Sequence, residues 1–216
     1  MQLNEAIENN IDWAAKRFEE VPLFFKRIAR GQRPSILYIG CSDSRVTAEE
    51  MLGAGPGDLF VHRNIANLIP NNDHSSNTVV SFAIHDLGVK SIAVCGHYGC
   101  GYDGCGGVLA AMQANDLGNL TAWLQNIRVV YRLHAAELDA IENEGIRYRR
   151  LVELNVHEQC INLLKIVEVQ NAYSSANLIF PGWVFNMATG RIKDLRLDVE
   201  QIVSSIQDIY SIAGIV

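Results

Sequence analysis

The chain has 216 residues, is 49% hydrophobic and carries a formal net charge of −6, with a pI of about 5.5 and mean hydropathy +0.07. That is enough apolar material for one substantial core, and the acidic balance argues against a nucleic-acid surface. No apolar run approaches the ~20 residues that span a bilayer, so neither nucleic acid nor membrane is expected as a partner.

The first residues, MQLNEAIENNIDW, are acidic where a secretory leader would be basic and then apolar, which points to a cytoplasmic protein. Its five cysteines then read as thiols or metal ligands rather than a disulfide framework. Residues 1–33 form a helical arm with a heavy apolar load: Trp13, Phe18, Val21, Phe24, Phe25 and Ile28. The arm covers either its own sheet or a partner subunit.

The first strand is predicted at Ser35–Gly40, short and apolar as buried parallel strands are. A second candidate is Asp58–His62. Residues 75–87 carry a helical pattern that Gly88 stops, and Ser91–Gly96 is a further strand. Long helices are expected over about 120–142, with Trp123, Ile127, Val130 and Tyr131 as its stripe, and over about 148–172, with Leu151, Leu154, Ile161 and Leu164. The cluster Arg147-Tyr148-Arg149-Arg150 reads as a solvated helix start. Residues 177–180 continuing through 183–185 form the last long strand, and Thr189-Gly190 turns it into an edge hairpin with 191–195. The whole is one α/β domain, a central, mainly parallel sheet flanked by helices. A core over 34–200 follows the arm, and a C-terminal helix covers 201–216.

Two strand ends carry chemistry. The first runs into Cys41-Ser42-Asp43-Ser44-Arg45, and the Ser91 strand into Gly96-His97-Tyr98-Gly99-Cys100. Ligands gather beyond the carboxyl ends of parallel strands, so Cys41, His97 and Cys100 can converge. Two thiolates and an imidazole suit Zn²⁺. The fourth metal ligand is then Asp43, a weak one that can yield to water. An Arg two residues on can grip that carboxylate and keep it ionised.

The second loop is ambiguous, because Tyr98-Gly99-Cys100-Gly101 is followed by Tyr102-Asp103-Gly104-Cys105-Gly106. His-x-x-Cys spacing favours Cys100 as ligand. A helix start, which stabilises a thiolate, favours Cys105. If both cysteines joined, a closed Cys₃His site would make a structural scaffold or thiol sensor. The G-x-G-x-x-G at 99–104 lacks the second strand and acidic residue of a dinucleotide site. Cys95 and Cys160 read as small buried apolar residues; His85 and His157 read as ordinary.

The motifs CSDSR at 41–45, PGDLFVHRNIAN at 56–67, GHYGC at 96–100 and FPGWVF at 180–185 together resemble the β-class carbonic anhydrases. The resemblance implies zinc on Cys41, His97 and Cys100, with Asp43 and Arg45 as catalytic dyad. It also implies reversible hydration of CO₂ to bicarbonate and a proton, and a homodimer or tetramer whose N-terminal helices cross to the neighbour. Asp43 binds the metal in the closed form of some members. In one subgroup bicarbonate favours that form from a pocket matching Tyr38, Arg63 and Phe185 here, and Phe185 lacks the hydroxyl such a pocket uses. A few relatives hydrolyse CS₂ or COS with the same nucleophile. Family members run from H-x-x-C directly into Gly-Gly; here residues 101–105 intervene, and deleting them restores GHYGCGGVLAA.

Overall fold

The computed structural model describes residues 2–100, 103–176 and 178–210. The chain divides into a unit ending at Arg33 and a unit beginning at Pro34. In the first, α1 (Leu3–Glu20) starts in a capping box between Gln2 and Glu5 and buries none of its residues. After it comes the short α2 (Phe24–Ile28). Trp13, Phe18, Phe24 and Phe25 pack edge-on and stacked, with centroids 5.1–6.2 Å apart. Leu3, Ile7, Ile11 and Phe18 stay exposed along one stripe of α1.

The second unit is built on a five-stranded sheet in the order β2-β1-β3-β4-β5. β1 (Ile36–Cys41), β2 (Leu59–Asn64), β3 (Ser91–Tyr98) and β4 (Gly182–Asn186) are parallel, and β5 (Arg191–Asp194) returns antiparallel to β4. The run expected at 177–185 is thus a strand only from Gly182. Before it, Ile179 makes a single bridge to Ser91, Pro181 has no N–H to donate, and Asn177 lies outside the described residues. β1 sends its first connection, through α3 (Ala48–Met51), to one side, and β2 crosses back through α4 (His74–His85) to β3 on the other. The carboxyl ends of β1 and β3 therefore flank the switch point where α/β sheets bind ligands.

The helices that follow β3 are α5 (Gly106–Ala111), α6 (Asn119–Leu133), α7 (Ala135–Asp139), α8 (Glu144–Leu164) and α9 (Val167–Ala176). The helix expected at 120–142 breaks at His134 (φ −111°, ψ 22°), whose Nε2 sits 3.0 Å from Glu158 Oε1. The one expected at 148–172 begins earlier, because Asn143 Oδ1 accepts from the Ile146 amide. It breaks where Lys165 and Ile166 tighten into i→i−3 bonds. α8 packs on the sheet at Gly96, where a Cβ would stand 2.8 Å from Val156 and 3.1 Å from Val152.

Arg147-Tyr148-Arg149-Arg150 is not a solvated start. Tyr148 is fully buried, Arg147 donates to the Ile141 carbonyl and Arg150 pairs with Glu137 and Glu153. The last described helix, α10, runs Val199–Tyr210; residues 211–216 of the predicted C-terminal helix lie outside the described residues.

Candidate metal centre

Cys41 ends β1 and His97 lies one residue before the end of β3. Cys105 stands at the N-cap of α5. Ligand atoms of these three residues all lie within 4.8 Å of one another, and all three residues are buried. The two sulfurs are 3.9 Å apart.

This differs from the expected donor set in one member. Cys100 is exposed and does not join the group, so neither the Cys41–His97–Cys100 site nor a Cys₃His site is assembled. The physical reason is that the chain turns away after Tyr98 and returns at Gly104, which brings the second cysteine to α5's start. This placement follows the helix-start argument for Cys105 and not the spacing argument for Cys100. Gly101 and Tyr102 of the repeat lie outside the described residues.

The site fits a thiophilic cation. His97 is completely buried, yet neither of its ring nitrogens has a hydrogen-bond partner, an arrangement that costs free energy unless something else satisfies them. The Cys105 thiol beside Cys41 pulls the Cys41 pKa well below the ordinary thiol range, against burial, with His97 helping. Cys105 is pushed up, first by sharing that proton and then by burial. The pair therefore parts with its first proton readily and holds its second, the one an incoming cation displaces. The Ala66 amide also donates to Cys41 Sγ at 3.4 Å. To reach it, Ala66 and Asn67 adopt left-handed backbone (φ 64° and 51°), strain of a kind stored at functional sites. Asn155 of α8 supports the turn through the Ala66 carbonyl.

Asp43 stands beside the donor group and not in it. Its Oδ2 lies 3.9 Å from His97 Nε2. Arg45 grips both carboxylate oxygens, Nε to Oδ1 at 2.9 Å and Nη2 to Oδ2 at 2.7 Å, and its amide adds a third bond at 3.0 Å. These bonds hold Asp43 at about 2 despite partial burial. Arg63 donates to the carbonyls of Cys41 (2.8 Å) and Asp43 (2.6 Å), fixing the first loop. Tyr38 and Phe185 pack in a small apolar cluster with Ala48 and Cys95. His62 lies near Asn64, with its pKa lowered by burial. Cys95 and Cys160 are buried, as expected.

Sequence reasoning missed Ala66, Asn155 and Tyr148. The first two serve the Cys41 turn; the Tyr148 hydroxyl donates to the Cys105 carbonyl at 3.4 Å. Only the NIAN segment hinted at the turn, and nothing local marks Asn155 or Tyr148.

Together these features define an α/β protein with a thiol-rich three-donor group that could hold a metal ion at the switch point of its sheet. The sequence profile described as carbonic anhydrase matches residues 36–192. A carbonic anhydrase of Emericella nidulans is 50% identical over 210 residues, covering 97% of this chain and 90% of that protein. The crystal structure of the β-carbonic anhydrase CafA of Aspergillus fumigatus superposes with a TM-score of 0.87 at 37% identity, covering 96% of this chain and 97% of that one. One of two tetrameric β-carbonic anhydrases from Sordaria macrospora gives 0.85 at 38% identity, covering 90% and 96%. The chain belongs to the β-carbonic anhydrase family.

Proposed function

We propose that the chain catalyses the reversible hydration of CO₂ to bicarbonate and a proton, with Zn²⁺ held by Cys41, His97 and Cys105. The observation that carries this reading is the buried two-sulfur, one-imidazole group with a single clamped carboxylate 3.9 Å from its imidazole. Two sulfur donors with one imidazole suit zinc over harder cations. Zinc bound there supplies Lewis acidity that makes water nucleophilic near neutral pH.

The chain's own residues supply the rest. Arg45 keeps Asp43 ionised across the working range. Asp43 Oδ2 accepts a hydrogen bond from the attacking water, which turns the water's lone pair toward CO₂. Arg63 anchors the backbone carbonyls of Cys41 and Asp43, so donor and carboxylate keep a common frame. The product proton leaves to buffer.

Two finer points belong to the same proposal. A cytoplasmic location is supported by the cysteines, which are all free thiols; no described helix is long and apolar enough to cross a membrane. A homodimer or tetramer is supported by the exposed apolar stripe of α1 and by the tetrameric relatives.

The test is stopped-flow CO₂ hydration by zinc-loaded protein from neutral to alkaline pH. Activity rising through one ionisation is the expected result. No activity at any pH, with one zinc per chain retained, would sink the reading and leave a metal-stabilised scaffold.

A further inference from the structure

Gly99-Cys100-Gly101 and Gly104-Cys105-Gly106 offer the site two interchangeable phrases, and the structure shows how the chain chooses between them. The Asp103 amide donates to the Cys100 carbonyl at 3.0 Å, closing a turn. A Cβ on Gly99 would stand 2.3 Å from the Asp103 carbonyl oxygen. The base is closed as tightly: a Cβ on Gly104 would lie 2.9 Å from the Tyr98 Cα and 2.1 Å from the Tyr148 hydroxyl oxygen. Allowing a carbon–carbon bond of about 1.5 Å, the Cα atoms of Tyr98 and Gly104 are at most about 4.4 Å apart, against about 3.8 Å for neighbours joined by a trans peptide. The chain leaves at Tyr98 and returns almost to where it left.

Both ends of this excursion are held by residues elsewhere. Arg149 of α8 reaches the Gly99 carbonyl at 3.4 Å, and Arg45 Nη2 reaches the Gly104 carbonyl at 3.1 Å. The guanidinium that clamps Asp43 is therefore also fixed by the returning chain.

We infer that the five residues between Tyr98 and Gly104 can be removed without loss of the metal site, and that Gly104, packed against the Tyr148 hydroxyl, is the positioning residue that makes Cys105 the third donor. The inference rests on the three-donor zinc site proposed above. Removing the excursion joins Tyr98 to Gly104 and restores His-x-x-Cys spacing between His97 and Cys105. The Gly104 carbonyl that Arg45 uses stays in place. The two glycines of the repeat then differ in consequence. A methyl group at 99 meets the exposed turn at Asp103, with no atom of the three donors or of Tyr148 among its nearest neighbours. At 104 it meets Tyr148 and the Tyr98 backbone, and it shifts the adjoining Cys105.

The experiment compares the parent with a deletion of 99–103 and with C100S, C105S, G99A and G104A. Each is loaded with Co²⁺, and the thiolate-to-cobalt charge-transfer absorption reports how many thiolates bind; zinc per chain is measured in parallel. The deletion and C100S should keep the parent's absorption, one zinc and the parent's pH–rate profile. C105S should lose about half the absorption, one thiolate of two. G104A should release zinc to a chelator about 10–100-fold more readily, the usual cost of disturbing a group that orients a ligand, while G99A matches the parent.

Half the absorption lost in C100S and none in C105S would overturn the assignment; a folded deletion protein that binds no zinc would overturn the removability of the five residues, since the shortened chain reads His-Tyr-Gly-Cys-Gly-Gly whichever cysteine is counted as kept. A G104A protein indistinguishable from G99A would overturn the positioning role. Should the deletion protein fail to fold, the two serine variants and the two alanine variants decide both points. A parent with these spectra but no hydration activity would count against the proposed reaction and not against this inference.

Discussion

The loop after β1 and the loop after β3 each deliver one cysteine to the same site, and they are held by different means. In the first, polar side chains do the holding: Arg45 clamps Asp43, Arg63 binds two carbonyls and the Ala66 amide meets Cys41 Sγ. In the second, Gly99 and Gly104 leave space that the Asp103 carbonyl and the Tyr148 hydroxyl fill. The first loop should therefore be sensitive to the loss of functional groups, and the second to the addition of atoms. A short polar motif announces itself in a sequence. A space shaped by distant residues does not.

The largest expected effect treats the loops alike. Cys41→Ser and Cys105→Ser should each lower hydration by at least about 10³-fold, because each removes a donor from a cation worth several kcal/mol of the barrier. Zinc content after dialysis and stopped-flow rates check this. Near-normal activity in either variant would break the symmetry between the loops.

Asp43→Asn addresses the first loop alone. It should lower kcat by about 10²–10⁴-fold, the range for a positioned proton acceptor, while zinc stays at one per chain. Zinc lost together with activity would mean that Asp43 holds the metal site together.

For the second loop, Gly104→Ala should destabilise the protein by about 1–3 kcal/mol, the cost of forcing extra atoms into a packed site. Gly99→Ala should cost less, because it meets the exposed turn at Asp103, where Gly104→Ala meets the buried Tyr148 ring and the Tyr98 backbone. Urea unfolding of the pair measures the difference, and equal costs would erase the contrast between the buried Gly104 and the exposed turn at Asp103.

The smallest effect concerns acid stability of the metal-free protein. Asp43 falls from an ordinary 3.8 to about 2 when folded, chiefly through its bonds from Arg45. A lowered folded pKa stabilises fully above the unfolded value and loses that stabilisation as pH falls through the folded one. Arg45→Ala should therefore cost about 0.5–1 kcal/mol at neutral pH, as a partly exposed ion pair does. The gap to the parent should close as pH drops from about 4 toward 2. A constant gap across acid pH would assign the cost to packing instead of charge.

Much of this protein is legible along the chain. The short apolar runs at 35–40 and 91–96 are strands because each is bounded by turn formers and buried on both faces. The hairpin at 186–191 follows from Thr189-Gly190, with Gly190 at φ 67°. The helix breaks at His134 and Lys165 are not legible. Periodicity continues across them, and the partner Glu158 that meets His134 comes from another helix.

The sequence by itself determined the chemistry of the site: two thiols and an imidazole at the ends of two strands, with an Asp and an Arg two residues apart beside them. Residue type and spacing suffice for that, since ligand softness and strand polarity are local properties. Only the tertiary structure decided which repeated cysteine lies beside Cys41 and His97. Cys100 and Cys105 carry the same flanking glycines, and the two local signals, spacing from His97 and a helix start, point to different cysteines. The distinction comes from Tyr148, 43 residues beyond Cys105, whose buried hydroxyl leaves room for a glycine and nothing larger at position 104.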